Sequence, residues 1–265
     1  MTYTGPMRKS IARLEASRST RMEQVIQRTR LEERYELIAA FHPDARQGVM
    51  QVLPFGPSKG DRVPVEVATI LAACSPVDPE SFDPGHIDHD VDVLIVGGGG
   101  AGSAAALTAH EQGVRTLLAT KLRHGDSNTV MAEGGIAAAT HQHDSPLRHY
   151  LDTMGGGRFK NVVDLVEALV LDAPLMVEWL TELGVMFDRE SDGTHICSFA
   201  GGHSRRRVHS CKDYTGMEIM RVLRDEIRCR HLDVLEFCPT VELLTDPQGR
   251  CTGAILLNLE TGAHQ

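Results

Sequence analysis

The 265-residue chain lacks long apolar runs, paired cysteines and any excess of positive charge, and each absence argues against a class of function. Its most apolar stretch, residues 168–180, is broken by Asp172, Pro174 and Glu178, so it is too short and too polar to span a bilayer. The first 22 residues are charged and hold no apolar core of the kind a secretory leader needs. The six cysteines (Cys74, Cys197, Cys211, Cys229, Cys238 and Cys251) form no C-x-x-C pair, and their spacing suits neither a zinc ribbon nor a ferredoxin cluster. The expectation is reduced thiols in a cytoplasmic protein with no metal of its own, any iron–sulfur centre sitting on another chain. A net charge of −9 argues against a nucleic-acid partner held by bulk electrostatics. What remains is 42% hydrophobic and 24% charged, an ordinary globular composition long enough to bury a substantial core.

Residues 1–90 differ in texture from the rest. From Met7 to Ala40, apolar residues such as Ile11, Leu14, Val25, Leu31, Leu37 and Ile38 alternate with Arg and Glu in a helical pattern. A turn-rich stretch, residues 41–64, leads to a short helix at residues 65–73, and the Pro-, Asp- and Gly-studded residues 74–90 read as a linker. The "HIDHD" piece within it reads as chain entering a strand rather than as a metal site. A mainly helical N-terminal extension, acting as a docking element, is therefore expected before a second domain at 91–265.

That second domain opens with "VDVLIVGGGGAGSAAALTAHEQGVRTLLATK": an apolar strand, a glycine turn, an alanine-rich helix and a second strand at Thr116–Ala119. Gly97, Gly99 and Gly102 fit G-x-G-x-x-G in the context that gives the motif meaning. Gly97 permits the tight turn, Gly99 lets a pyrophosphate approach the backbone, and Gly102 lets helix and strand pack closely. The free N–H groups of the helix start then face the ligand, with Gly100 and Ala101 completing the turn. The acid that binds an adenosine ribose in NAD enzymes is replaced here by Thr120, followed by Lys121. Further on, the pattern predicts helices at Val162–Leu171, at Pro174–Leu183 and over "DYTGMEIMRVLRDEIRCR". Strands then flank a Pro-Gln-Gly turn, giving a doubly wound, Rossmann-like α/β fold with an antiparallel addition.

Several stretches in one order carry a resemblance: the glycine-turn unit, "SNTVMAEGGIAAA", "HYLDTMGGG", "WLTELGVMFDR", "GGHSRRRVHSCKDYTG" and "CTGAILLNLETG". Residues 91–265 resemble the FAD-binding domain of succinate dehydrogenase and fumarate reductase flavoprotein subunits, and equally that of L-aspartate oxidase. In that family a Ser/Thr-Lys pair commonly ends the second strand, which accommodates Thr120 and Lys121. The resemblance implies that Ser127, Asn128, Thr129, Glu133, Gly134 and Gly135 line the ribityl and isoalloxazine parts of FAD, and that Val241 also touches the cofactor. Where the membrane-bound respiratory enzymes carry a histidine bonded covalently to the flavin, this chain has Asn128, so non-covalent FAD is expected.

The loop "GGHSRRRVHS" concentrates His203, Arg205, Arg206, Arg207 and His209. Beside a flavin it would hold a dicarboxylate or an anionic reduced ring, with His203 and Arg205 the leading candidates; solvated surface arginines are the alternative. Asp213 is either a helix N-cap or a functional acid. The resemblance implies an electron-transferring flavoprotein subunit with an iron–sulfur partner, no direct membrane span and catalytic acid beyond residue 265. L-aspartate oxidase and a non-catalytic flavin-binding scaffold are the alternatives.

Overall fold

The structure is a computed structural model and describes every residue except Met1, Thr2, Ile26, Cys74, Pro76, Pro79, Ser81 and Pro84. The Cys74 thiol and four positions of the expected linker thus lie outside the described residues. The chain divides into two compact units, residues 1–74 and 75–265.

In the first unit, α1 (Gly5–Ala16), α2 (Arg18–Glu23) and α3 (Leu31–Phe41) bury no residue. Local signals set their ends: a proline in the first turn of α1, and Glu33 accepting from the Arg30 amide at 3.1 Å before α3. The turn-rich stretch contains an antiparallel hairpin, β1 (Met50–Val52) with β2 (Arg62–Pro64). It leads into α4 (Val65–Leu71), and Leu53 and Ala68 supply the buried contacts.

The second unit is built on a parallel sheet in the order β3 (Val93–Val96), β4 (Thr116–Ala119), β8 (Asp233–Leu235). The central strand β4 buries Leu117, Leu118 and Ala119 in succession, the continuous apolar run of a strand covered on both faces. Between β3 and β4 runs α5 (Gly100–Glu111), whose Ala106 and Leu107 are fully buried. Two short strands, β5 (Ile136–Ala137) and β6 (Cys197–Ser198), flank β7 (Val208–His209) in a small antiparallel sheet. Between β5 and β6 lie α6 (Pro146–Gly156), capped by Ser145, and α7 (Val163–Glu182). After β7 comes α8 (Thr215–Cys229), which buries Ile219, Met220, Val222, Leu223 and Ile227, the spacing of one helical face. That face packs with α5, α7, Ile95 and Leu118 into the main core. The hairpin β9 (Thr240–Thr245) and β10 (Cys251–Leu256) follows, its turn closed by the Asp246 carboxylate accepting from the Gln248 and Arg250 amides.

Two sequence expectations need correction. The pair of helices meeting at Pro174 is one 20-residue helix, α7, that runs through the proline. Ala173, Val177 and Leu180 continue a single buried stripe across it, and that packing outweighs the missing N–H. Asp213 does not cap α8; the cap position is Tyr214, with no side-chain bond, and Thr215 Oγ1 instead accepts from the Cys211 amide at 3.1 Å. No helix among the described residues is long and apolar enough to cross a membrane.

Because Pro174 leaves the Val170 carbonyl without its usual helical donor, Pro174→Ala should stabilise the protein by about 1–3 kcal/mol. Thermal denaturation checks it; an unchanged or lower midpoint would mean that the half-buried ring contributes more packing than the helix loses.

Candidate cofactor site

The site grows from the junction of β3 and α5. Gly97 turns the chain at φ 115°, and a Cβ on Gly102 would overlap the Gly97 carbonyl oxygen, so the helix seats against the turn only with glycine there. The cap residue of α5, Gly99, has no side chain to bond the first turn, and apart from the Gly100 amide, which Thr129 takes, the helix start is suited to an anion. In front of it opens a cleft of about 660 Å³. Its walls come from Val96–Gly99, from Ala119–Leu122 at the end of β4, from Asp126–Asn128 with Val130 and Met131, and from Pro239 and Thr240 before β9.

Of the residues expected to touch a cofactor, the cleft is lined by Gly97, Gly99, Thr120, Lys121, Ser127 and Asn128. The others lie outside its walls and several have structural work. Thr129 Oγ1 accepts from the Gly100 amide at 3.1 Å, and the Glu133 carbonyl accepts from Thr215 Oγ1 at 3.2 Å. A Cβ on Gly135 would overlap the His209 carbonyl oxygen, and Gly102 seats the helix. Gly100 and Ala101 belong to the first turn of α5, Gly134 is exposed, and Val241 stands one position beyond the lining Thr240. Sequence reading missed Pro239 and Thr240, which carry no motif and reach the cleft only because β8 lies beside β4.

The loop with the five basic side chains is wired inward. Arg207 is fully buried; it donates to both Asp144 oxygens at 2.7 and 2.9 Å and to Asp152 at 2.6 Å. Burial works to raise the carboxyl of Asp144, but bonds from Arg207 and the Ser145 amide outweigh it and hold it below the ordinary value. Ser204 donates its amide and hydroxyl to Asp152 at 2.8 and 2.9 Å. Arg205 donates to the His143 and Ser204 carbonyls at 3.3 and 2.9 Å, and Arg206 stacks over Phe199 at 4.9 Å. Arg207 is therefore internally neutralised rather than offered to a ligand. The His203 Nδ1 is buried without a hydrogen-bond partner, and Arg205 borders a separate polar pocket with Gln142 and Arg148. Neither His203 nor Arg205 lines the glycine-turn cleft.

His209 is fully buried between Thr140 Oγ1 at 3.1 Å and His195 Nδ1 at 3.2 Å. Burial, reinforced by His195, lowers its pKa to about 4, so it adds no positive charge to the loop near neutrality. Burial likewise raises the neighbouring Cys197 thiol to about 11 and the Cys211 thiol to about 11, keeping both protonated and unreactive.

Residues 92–265 match the FAD binding domain family. The chain belongs to that family. The L-aspartate oxidase of Streptomyces coelicolor is 40% identical over 174 residues, covering 65% of this chain and 30% of the relative. A fumarate reductase (CoM/CoB) polypeptide of Methanothermobacter marburgensis is 36% identical over 171 residues, covering 63% and 31% respectively. Among solved structures, Mycobacterium smegmatis Sdh1 in complex with UQ1 superposes with a TM-score of 0.61 at 36% identity, covering 66% of this chain and 32% of that one. The chain thus spans about a third of the length of these relatives. The cofactor is FAD, and the cleft has the chemistry for it. The open helix start and glycine amides suit the pyrophosphate, and Val96 and Met131, 56% and 75% exposed, offer apolar surface that a bound cofactor can cover.

The buried histidine sets an acid limit. A folded pKa of about 4 lies below the 6.5 of the unfolded chain, so the unfolded state takes up a proton that the folded state refuses. The stability this contributes is complete above about pH 6.5 and is lost as pH falls toward 4. His124, His149 and His195, also lowered mainly by burial, act in the same direction. Asp144 and Asp152, lowered from 3.8, lose their contribution only at still lower pH. The unfolding midpoint should accordingly drop between pH 6.5 and 4, and His209→Gln should flatten part of that slope; a flat native profile across this window would contradict the assignment.

Proposed function

We propose that the protein is a FAD-dependent oxidoreductase of the fumarate reductase and succinate dehydrogenase type. It would pass electrons between a small dicarboxylate-like substrate and redox partners, including an iron–sulfur protein, and work in the cytoplasm. FAD is held without a covalent bond. The observation that carries this reading is Asn128 on the wall of the cleft, in the loop where covalently flavinylated members of the family carry histidine. A carboxamide has no nucleophilic ring nitrogen to form the bond, and non-covalent flavin favours reduction of a fumarate-type acceptor over oxidation of succinate.

Bound FAD supplies the two-electron chemistry; the chain supplies binding and orientation. The start of α5 and the amides of Gly98 and Gly99 would bind the pyrophosphate, while Thr120 and Lys121 would meet the adenosine end. Ser127 and Asn128 would hydrogen-bond the ribityl and ring portions, held in place by Thr129 on the Gly100 amide. His203 and Arg205 are the side chains proposed to meet a substrate carboxylate. Arg207 acts behind them, because its bonds to Asp144 and Asp152 fix the strand from which their loop projects.

L-aspartate oxidase is the second reading, favoured by the 40% identity to the Streptomyces coelicolor enzyme, by the histidine–arginine loop and equally by Asn128, since non-covalent FAD suits both readings. The two separate in one pair of assays on the full-length protein. Fumarate consumption driven by a reduced viologen supports the first, whereas peroxide formed from L-aspartate supports the second. Activity in neither leaves the chain as a flavin-binding scaffold. Replacing His203 or Arg205 by a neutral residue should lower turnover at least tenfold, as expected when a charge-assisted bond to substrate is lost; unchanged rates in both would remove them from the site.

Acid precipitation tests the mode of attachment directly. Flavin absorbance should leave with the supernatant, and colour retained in the protein pellet would overturn the non-covalent assignment.

A further inference from the structure

The cleft's longest wall is interrupted. Thr120–Leu122 and Asp126–Asn128 line it, whereas Arg123, His124 and Gly125 turn away and touch none of it. That hidden turn is where the loop is fastened. His124 is 2% exposed, and its Nε2 is hydrogen-bonded at 2.9 Å to Oγ of Ser103, a residue with no exposure in the first turn of α5. The His124 amide donates to Glu236 Oε1, just past β8, at 2.8 Å. The Gly125 amide donates to the Gly98 carbonyl at 3.0 Å. Gly125 has φ 93°, and a Cβ there would sit 2.5 Å from Cδ of Arg224 on α8.

We propose that His124, through Ser103, is a positioning residue for FAD, keeping both ends of the cleft in register with the helix that receives the pyrophosphate. The inference rests on FAD binding and not on the identity of the substrate. The reason is geometric. Lys121 and Leu122 on one side of the turn, and Ser127 and Asn128 on the other, are each within four residues of His124, so any shift of the turn moves both sets together. Bonds to Glu236 and Gly98 hold the turn's backbone, whereas the Ser103 bond ties its side chain to α5. Without it a buried imidazole nitrogen and a buried hydroxyl lose their partners, and the turn gains reason to swing outward, where both reach water. Neither residue lines the cleft, and the His124 ring packs behind Gly98, so their effect on FAD passes through the loop and the glycine turn that it backs.

The test is a titration of FAD into full-length apoprotein, read by quenching of flavin fluorescence, for S103A, H124A, H124Q and S103A/H124A. Each alanine variant should raise the FAD Kd about tenfold, the scale of one buried hydrogen bond. The double variant should be no worse than either single one, because both remove the same bond. H124Q, whose amide can still meet Ser103, should recover most of the affinity. A merely structural role would lower apoprotein stability while leaving Kd within twofold of native, and that result overturns the proposal, as does full additivity in the double variant. If H124A fails to fold, S103A and S103A/H124Q decide it, since S103A removes only one oxygen atom. Native apoprotein that takes up no FAD would refute the cofactor reading itself, whereas native binding with unaffected variants refutes only the role of His124.

Discussion

The structure of the second unit depends on how closely one helix can approach one turn. The first residues of α5 rest against the Gly97 carbonyl with no room for a side chain at position 102, and everything that forms the cleft is referenced to that contact. It sets where the helix start points, and thus where a phosphate is attracted. It also fixes the surface on which the 121–130 loop lies: Gly98 accepts from the Gly125 amide, and the Gly100 amide donates to Thr129. The loop is therefore an outer layer on the glycine turn, its polar side chains displayed by a backbone that is itself hydrogen-bonded to the turn.

A second constraint acts around Arg207. A guanidinium with no solvent contact is tolerable only if its charge is countered and its nitrogens are bonded, and Asp144 and Asp152 do both from α6 and the residue before its cap. The pairing joins the start of β7, the loop before it and α6 into one polar junction. It also changes what the basic loop can do. Five basic residues within seven positions read as one field of positive charge, but folding neutralises Arg207, keeps His209 uncharged and turns Arg205 and Arg206 back onto the chain. A ligand would meet a much smaller charge than the sequence displays.

The parts of this architecture that were legible in sequence are those set by local rules. The β3–α5–β4 unit was readable because strand, glycine turn and alanine-rich helix each announce themselves within a few residues, and β4 spans Thr116–Ala119 as expected. The Gln248-Gly249 turn between β9 and β10 was readable for the same reason. What stayed hidden was set by long-range packing. Nothing local allows a helix to run through Pro174; only the buried stripe on both sides does. The resemblance implies that Thr129 touches the cofactor, but not that its hydroxyl accepts from the Gly100 amide at 3.1 Å, a pairing 29 residues apart. Pro239 and Thr240 have no recognisable pattern, and they border the cleft because a parallel strand brings them there.

That last point bears on how cofactor and fold depend on each other. The cleft is assembled from the end of β3, the end of β4, the loop after it and the segment entering β9, which are separated by more than 140 residues of chain between Val96 and Thr240. Among them, the Gly97 amide donates to the Ala119 carbonyl at 2.8 Å, the Gly98–Gly125 and Gly100–Thr129 bonds join the turn to the loop, and the Cys238 amide donates to the Thr120 carbonyl at 2.8 Å. A ligand that touches all four walls adds a further cross-connection, and it covers Val96 and Met131 at the same time. Binding energy of that kind belongs to the folded state alone, so it appears as stability of the unit in proportion to how far ligand concentration exceeds Kd. A loop pinned from behind, by residues that never meet the cofactor, is what keeps its walls close enough to their bound positions for that gain to be realised.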